Sequence, residues 1–226
     1  MKTTVKHLLT DKKLISEEKH IIVVNVNEEI TCVNDNSNGY DCAPCYVSDI
    51  IIDSKPYDPD GNICRVGYVK WCFINTIKSQ QYYHQFLESL NSSMGSGEID
   101  ALSPLFDELN MKYTKAYNKI TGGSLENFIY IIEIEINGFY RGLGIGERVI
   151  NALCHHYYGV ADFCFLKSFP KQLQATLEDE TNLPEKEIKK AQKSLDRFYE
   201  RIGFTRIKVR GDTYSYFYKK LDRAYL

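Results

Sequence analysis

Arg141-Gly142-Leu143-Gly144-Ile145-Gly146 sets glycine at every second position behind an arginine. A turn of this kind could hold an anion. Glycine lets a ligand approach the main chain. The first N–H groups of a following helix have no intrahelical partner, and the helix dipole makes that end positive. A phosphate is the usual guest there. Two nucleotide motifs do not fit. The phosphate loop of nucleotide triphosphatases needs Gly-Lys-Ser/Thr, which Glu147-Arg148 does not supply. The dinucleotide fingerprint G-x-G-x-x-G would need a glycine where Glu147 stands. The pattern Arg/Gln-x-x-Gly-x-Gly/Ala does fit, through Arg141, Gly144 and Gly146. The plain alternative is a glycine-rich strand-to-helix turn that binds nothing.

Other groups could move protons. Glu133 and Glu135 alternate with Ile132, Ile134 and Ile136, so the carboxylates are expected on the face opposite the isoleucines. Either could serve as a general base, or be solvated or paired with a lysine. Tyr199 borders the apolar stripe Leu195, Phe198 and Ile202. Its hydroxyl could donate a proton, or its ring could simply pack. The seven cysteines offer a third chemistry. Cys42-Ala-Pro-Cys45, with Cys32 and Cys64 nearby, could make a four-thiolate zinc site or a redox pair. The irregular spacing and the lack of a second C-x-x-C favour reduced, unliganded thiols, so no metal is expected. Cys72, Cys154 and Cys164 lie in apolar patterns and read as small core residues.

The elements that must position these groups follow from periodicity. The stretch from Phe128 is a strand up to the glycine turn. From Ile145, the repeat Ile145, Val149, Leu153 and Tyr157 marks a helix with one buried face, and Gly159 is its expected stop. Ala161 to Pro170 reads as a buried strand ending at a proline. Ile188, Ala191, Leu195, Phe198 and Ile202 trace an amphipathic helix. Thr205 to Leu221, around Gly211-Asp212, predicts a closing hairpin with Tyr214, Tyr216 and Tyr218 on one packed face. Earlier in the chain, strands are expected at Lys19–Val26, Val47–Ile52 and Arg65–Thr76, and helices at Ser79–Leu90 and Glu98–Tyr117. In the last of these, Leu102, Leu105, Phe106 and Leu109 would share a stripe. Trp71 inside an apolar strand reads as core. The order of elements predicts an α/β fold, a mixed sheet with helices on both faces.

Three motifs occur in one order. Arg141 to Gly146 comes first. Leu166-Lys167-Ser168-Phe169-Pro170-Lys171-Gln172 ends the later strand. Tyr199 stands four residues before Gly203-Phe204. Together they resemble the GNAT superfamily of acetyl-CoA-dependent N-acetyltransferases, in a bacterial-type branch with a K-x-F-P-x-Q strand ending. The resemblance covers roughly residues 128–220, taken as the coenzyme-binding and catalytic core of a single domain, 1–226. Residues 1–60 are a divergent N-terminal part. The resemblance implies that the strand before the loop and the strand at Ala161–Lys167 splay apart to admit the pantetheine arm. It implies main-chain pairing of that arm at Ile134 and Ile136. The pyrophosphate would rest on the N–H groups of Gly142, Leu143, Gly144, Ile145, Gly146 and Glu147, with Arg141 closing over it. Tyr199 would be the acid for the leaving thiolate, with Glu135 preferred as base. The acetyl group of acetyl-CoA would pass to a primary amine on a small molecule or peptide. A coenzyme A-binding module without catalysis and a zinc-stabilised interaction protein are the alternatives. Two positions depart from the family: Leu195 replaces a small residue near the coenzyme, and Asn137-Gly138 replaces an acidic-proline turn. The resemblance also allows a homodimer.

Composition excludes other classes. The net charge of −2 gives no general affinity for nucleic acid or anionic membranes. No apolar run is long enough for a membrane span. The first residues, MKTTVKHLLTDKK, lack an apolar signal core, which makes the cytoplasm the expected location.

Overall fold

The computed structural model describes residues 6–8, 21–25, 45–53, 63–76, 100–107, 112–170, 185–209 and 214–221. Its strands are β1 (Lys6–Leu8), β2 (Ile21–Asn25), β3 (Cys45–Asp53), β4 (Ile63–Ile74), β5 (Phe106–Asp107), β6 (Lys112–Tyr113), β7 (Phe128–Ile136), β8 (Phe163–Ser168), β9 (Thr205–Ile207) and β10 (Ser215–Lys220). Among the described residues, the helices of a full turn or more are α1 (Lys115–Thr121), α2 (Ile145–His156) and α3 (Glu185–Arg201). Eight strands form one sheet in the order β1-β2-β3-β4-β7-β8-β10-β9. Neighbours are antiparallel except β7 and β8, which run parallel and are joined through α2. The fold is α/β, a mixed, splayed sheet with helices on both faces.

Two cores cover the sheet. On one face, Val69, Trp71, Ile129, Ile131 and Cys164 meet Ile145, Val149 and Leu153 of α2 and Ile202 at the end of α3. On the other, Cys72, Phe128, Tyr130, Phe163 and Phe165 meet Leu102, Leu105 and, from α1, Tyr117 and Ile120. Each large apolar side chain fully buried here contributes about 1.5–3 kcal/mol of transfer free energy. Trp71 is core, as its setting predicts, with no exposed surface. Its indole N–H donates to the Tyr157 hydroxyl at 3.1 Å. Tyr157 also stacks on Phe73, with ring centroids 5.7 Å apart. Tyr157→Phe keeps that stack and removes the acceptor. It should lower stability by about 1–3 kcal/mol, read as a drop in the urea midpoint at unchanged slope.

The region Glu98–Tyr117 differs from the expected helix. Asp100 is helical, but Ala101–Leu105 is a run of turns, β5 and β6 form a small hairpin, and helix resumes at Lys115. Pro104 interrupts any helix there. Thr114 instead caps α1, accepting from Tyr117 N at 3.2 Å while its hydroxyl donates to the Pro104 carbonyl at 2.5 Å. Leu102 and Leu105 still reach the core, because the turn presents them to the same face. Leu109 and the expected helix at Ser79–Leu90 lie outside the described residues. β1 lies outside the expected strands. α2 ends at His156, before Gly159, which takes φ 82° in the turn that follows. In the closing hairpin, Tyr216 and Tyr218 do join one packed face. Tyr214 is exposed, beneath the Lys167 ammonium at 4.3 Å.

The sheet register also bears on the N-terminal cysteines. Cys45 lies opposite Cys72, whereas Cys64 lies opposite Ile52. Cys45 and Ile52 are seven residues apart on one strand, or about 23 Å at the usual rise. The backbones of Cys45 and Cys64 therefore lie toward opposite ends of the β3–β4 ladder. Cys32 and Cys42 lie outside the described residues. No group of three or more metal-ligating side chains occurs among the described residues, and none of the described helices is long and apolar enough to cross a membrane.

Candidate functional site

The site grows from an irregularity in β7. Its pairing with β4 runs Trp71↔Ile131 and then Lys70↔Glu133, so Ile132 is an extra residue, a β-bulge. The bulge shifts the phase of the strand. Ile129 and Ile131 belong to the core beneath α2, and Ile134 and Ile136 pack against that same core. Ile132 packs on the opposite core. This corrects the simple alternation expected for Ile132, Ile134 and Ile136. The expected separation of Ile134 and Ile136 from Glu133 and Glu135 stands.

A bulge bends and twists its strand, and β7 leaves β8 at that point. Their parallel ladder runs from Phe128↔Phe163 to Ile131↔Leu166 and stops. β7 continues to Ile136 and β8 to Ser168. Beyond Ile131 the two strands form a wedge that opens toward the glycine turn. Gly67 lets β4 follow β7 to this lip. A Cβ there would stand 1.9 Å from the Glu135 carbonyl oxygen.

After Ile136 the chain turns through a 3-10 turn at Gly138–Tyr140 and reaches Arg141–Gly144. Gly142 and Gly144 hold φ values of 81° and 75°, left-handed conformations that favour glycine. Gly144 caps α2 without a side chain. The first intrahelical bond runs from Arg148 N to the Gly144 carbonyl at 3.2 Å. The N–H groups of Ile145, Gly146 and Glu147 therefore have no acceptor within the helix. Residues 141–144 are exposed, so the turn faces solvent. Arg141 folds back onto the strand, its Nε donating to the Ile136 carbonyl at 2.8 Å. Glu147 forms an exposed ion pair of 3.8 Å with Arg201.

α3 lies along β8, held by a buried polar cluster. Ser168 Oγ donates to Asp196 Oδ1 at 2.8 Å, and Ser215 Oγ donates to Asp196 Oδ2 at 2.7 Å. Gln192 Nε2 donates to Asp196 Oδ1 at 2.7 Å and to the Ser168 carbonyl at 3.0 Å. Arg206 lies 3.6 Å from the carboxylate. Ser168, Ser215 and Gln192 all donate to the Asp196 carboxylate, which fixes the rotation of α3. That rotation sets Tyr199 among Phe198, Phe204 and Phe217, with centroids 5.2, 5.8 and 5.6 Å away. Burial pushes its phenol well above the ordinary value, with Cys164 and Asp196 adding to the effect. The hydroxyl thus keeps its proton through the neutral range.

Tyr199 packs on the core that also receives Ile134 and Ile136, whereas Glu135 is exposed on the opposite face. The wedge is where one bound molecule could meet both faces. Sequence reasoning did not anticipate Tyr68. Burial raises its phenol, as do hydrogen bonds and charge from Glu133 and Glu135. Its position opposite Glu135 comes from the β4–β7 register, for which no local pattern exists.

No family model matches the chain. No curated protein matches it significantly. Among solved structures it is similar to a KacTA–DNA complex at 10% identity, covering 78% of this chain and 68% of that one with a TM-score of 0.39. It is similar to Arabidopsis thaliana NAA60 in complex with acetyl-CoA at 12% identity, with 78% and 74% covered and a TM-score of 0.38. It is similar to a GNAT-family acetyltransferase from Staphylococcus aureus Mu50 at 13% identity, with 80% and 68% covered and a TM-score of 0.33.

Proposed function

We propose that this protein is a GNAT-type N-acetyltransferase that moves an acetyl group from acetyl-CoA to a primary amine. The observation that carries this reading is the continuity of one segment: a bulged strand opens a wedge and leads directly into a glycine turn at the start of α2. A long, thin ligand with an anionic middle suits that layout. The thioester supplies an activated carbonyl. The amides of Gly142 to Glu147, with Arg141, would hold the pyrophosphate. To do so Arg141 must release the Ile136 carbonyl, the same group nominated to pair with the pantetheine arm along with Ile134. Ligand entry and Arg141 release would thus be one event.

Glu135 would take a proton from the incoming amine, directly or through water. Tyr199 would give one to the thiolate as the C–S bond breaks. The phenol's raised proton affinity makes complete transfer harder, but the same desolvation raises the affinity of the departing thiolate. A hydrogen bond that strengthens as charge develops on sulfur is the benefit expected. The acceptor would be a small amine or a peptide amine.

The experiment is direct. Acetyl-CoA should raise the melting temperature by mass action, and thiol should be released when a panel of polyamines, amino acids, aminoglycosides and peptides is added. Binding without thiol release from any acceptor would favour a coenzyme A-binding module, for which Leu195 beside the coenzyme path is the motivating residue. No binding at all would overturn both.

A further inference from the structure

Toward the C-terminal end of α2 lies a second group of side chains that could do chemistry. Cys154 of α2 and Cys164 of β8 lie in the same buried core, both as free thiols. Lys219 of β10 is the cross-strand partner of Cys164, so their side chains share one face. The Lys219 ammonium is held at 3.2 Å from Asn151 Oδ1 and 3.0 Å from the Ile202 carbonyl. Asn151 is one helical turn before Cys154, which brings the ammonium beside the thiols. The two cysteines differ in access. Cys164 has no exposed surface, whereas Cys154 retains 8% and lines a groove of about 370 Å³ with Asn151, Arg201 and Lys219.

We propose that Cys154 and Cys164 form an oxidisable pair, in which Cys154 is oxidised first from the groove by hydrogen peroxide and Cys164 resolves it to a disulfide. The Cys154 thiolate, its proton given to groove water, attacks one peroxide oxygen. The O–O bond breaks, hydroxide leaves and takes up a proton as water, and Cys154 carries a sulfenic acid. The Cys164 sulfur then attacks the Cys154 sulfur. The S–O bond breaks, and the hydroxyl departs as a second water with the proton from Cys164. Two thiols lose two electrons and two protons, and the peroxide gains both. The environment supports this order. The Cys164 thiol and the Lys219 charge lower the Cys154 pKa against the opposing effect of burial, while burial raises that of Cys164. The bond would tie α2 to β8.

The test uses the full chain, reduced and then exposed to limiting hydrogen peroxide, with thiols blocked and peptides mapped without reduction. A linked Cys154–Cys164 peptide should appear ahead of any other pairing among the seven cysteines. In Cys164→Ser, dimedone should trap a sulfenic acid on Cys154. In Cys154→Ser, Cys164 should stay a thiol. Lys219→Met should slow Cys154 oxidation by about threefold to tenfold, the scale of shifting a thiol by up to one pKa unit. If Cys154 in the parent reacts no faster than the buried Cys72, or forms a sulfenic acid that never links to Cys164, the pair is packing alone. The parent mapping decides this even if a serine variant fails to fold.

Discussion

Tyr199→Phe should lower kcat by about 10²-fold or more, the scale of losing a general acid, while the KM for acetyl-CoA stays close to that of the parent. The substitution removes one hydroxyl. The ring keeps its contacts with Phe198, Phe204 and Phe217, so folding and the shape of the wedge should persist. An interaction made mainly in the transition state appears in kcat and not in KM. Thiol release under saturating acceptor reads the effect, and acetyl-CoA titration by calorimetry checks that affinity holds. Parental turnover in the phenylalanine variant would make Tyr199 a packing residue and leave water or another side chain as the proton source.

Gly144→Asp should weaken acetyl-CoA binding by at least about 10²-fold. Two like charges about 4 Å apart near a protein surface repel by about 4 kcal/mol, which is more than two decades of affinity. The position suits a clean test. A Cβ at Gly144 meets nothing within 4 Å, and aspartate tolerates the left-handed conformation better than most residues. Gly144→Asn supplies the same shape without the charge and should retain most of the affinity. If the two variants bind equally, no anion sits at the start of α2.

The parts of this site legible in the sequence are those that local chemistry writes. Glycines with positive φ, a helical repeat from Ile145 and a strand before them are set by nearest neighbours, and they were readable as a strand–turn–helix unit. The bulge was not. The series Ile132-Glu133-Ile134-Glu135-Ile136 alternates without a break, and only pairing with β4 reveals that Ile132 has turned to the other core. Tyr68 was hidden for the same reason, since register across distant strands has no local signature. In Glu98–Tyr117 the error ran the other way. Apolar spacing imitated a helix, and the capping bonds of Thr114 with Pro104 and Tyr117 overrode it.

The bulge at Ile132 has an energetic consequence for any molecule that enters the wedge. Strands that had to be pried apart would give up ladder hydrogen bonds, and that loss would be subtracted from the affinity. Here the β7–β8 ladder ends at Ile131↔Leu166, so the parting of the strands belongs to the free energy of folding. Among the described residues, the side-chain donor that an arriving ligand would displace is Arg141, from the Ile136 carbonyl. Preorganisation of this kind preserves binding energy that remodelling would otherwise consume. It places the adjustable step on a single surface arginine, outside the sheet.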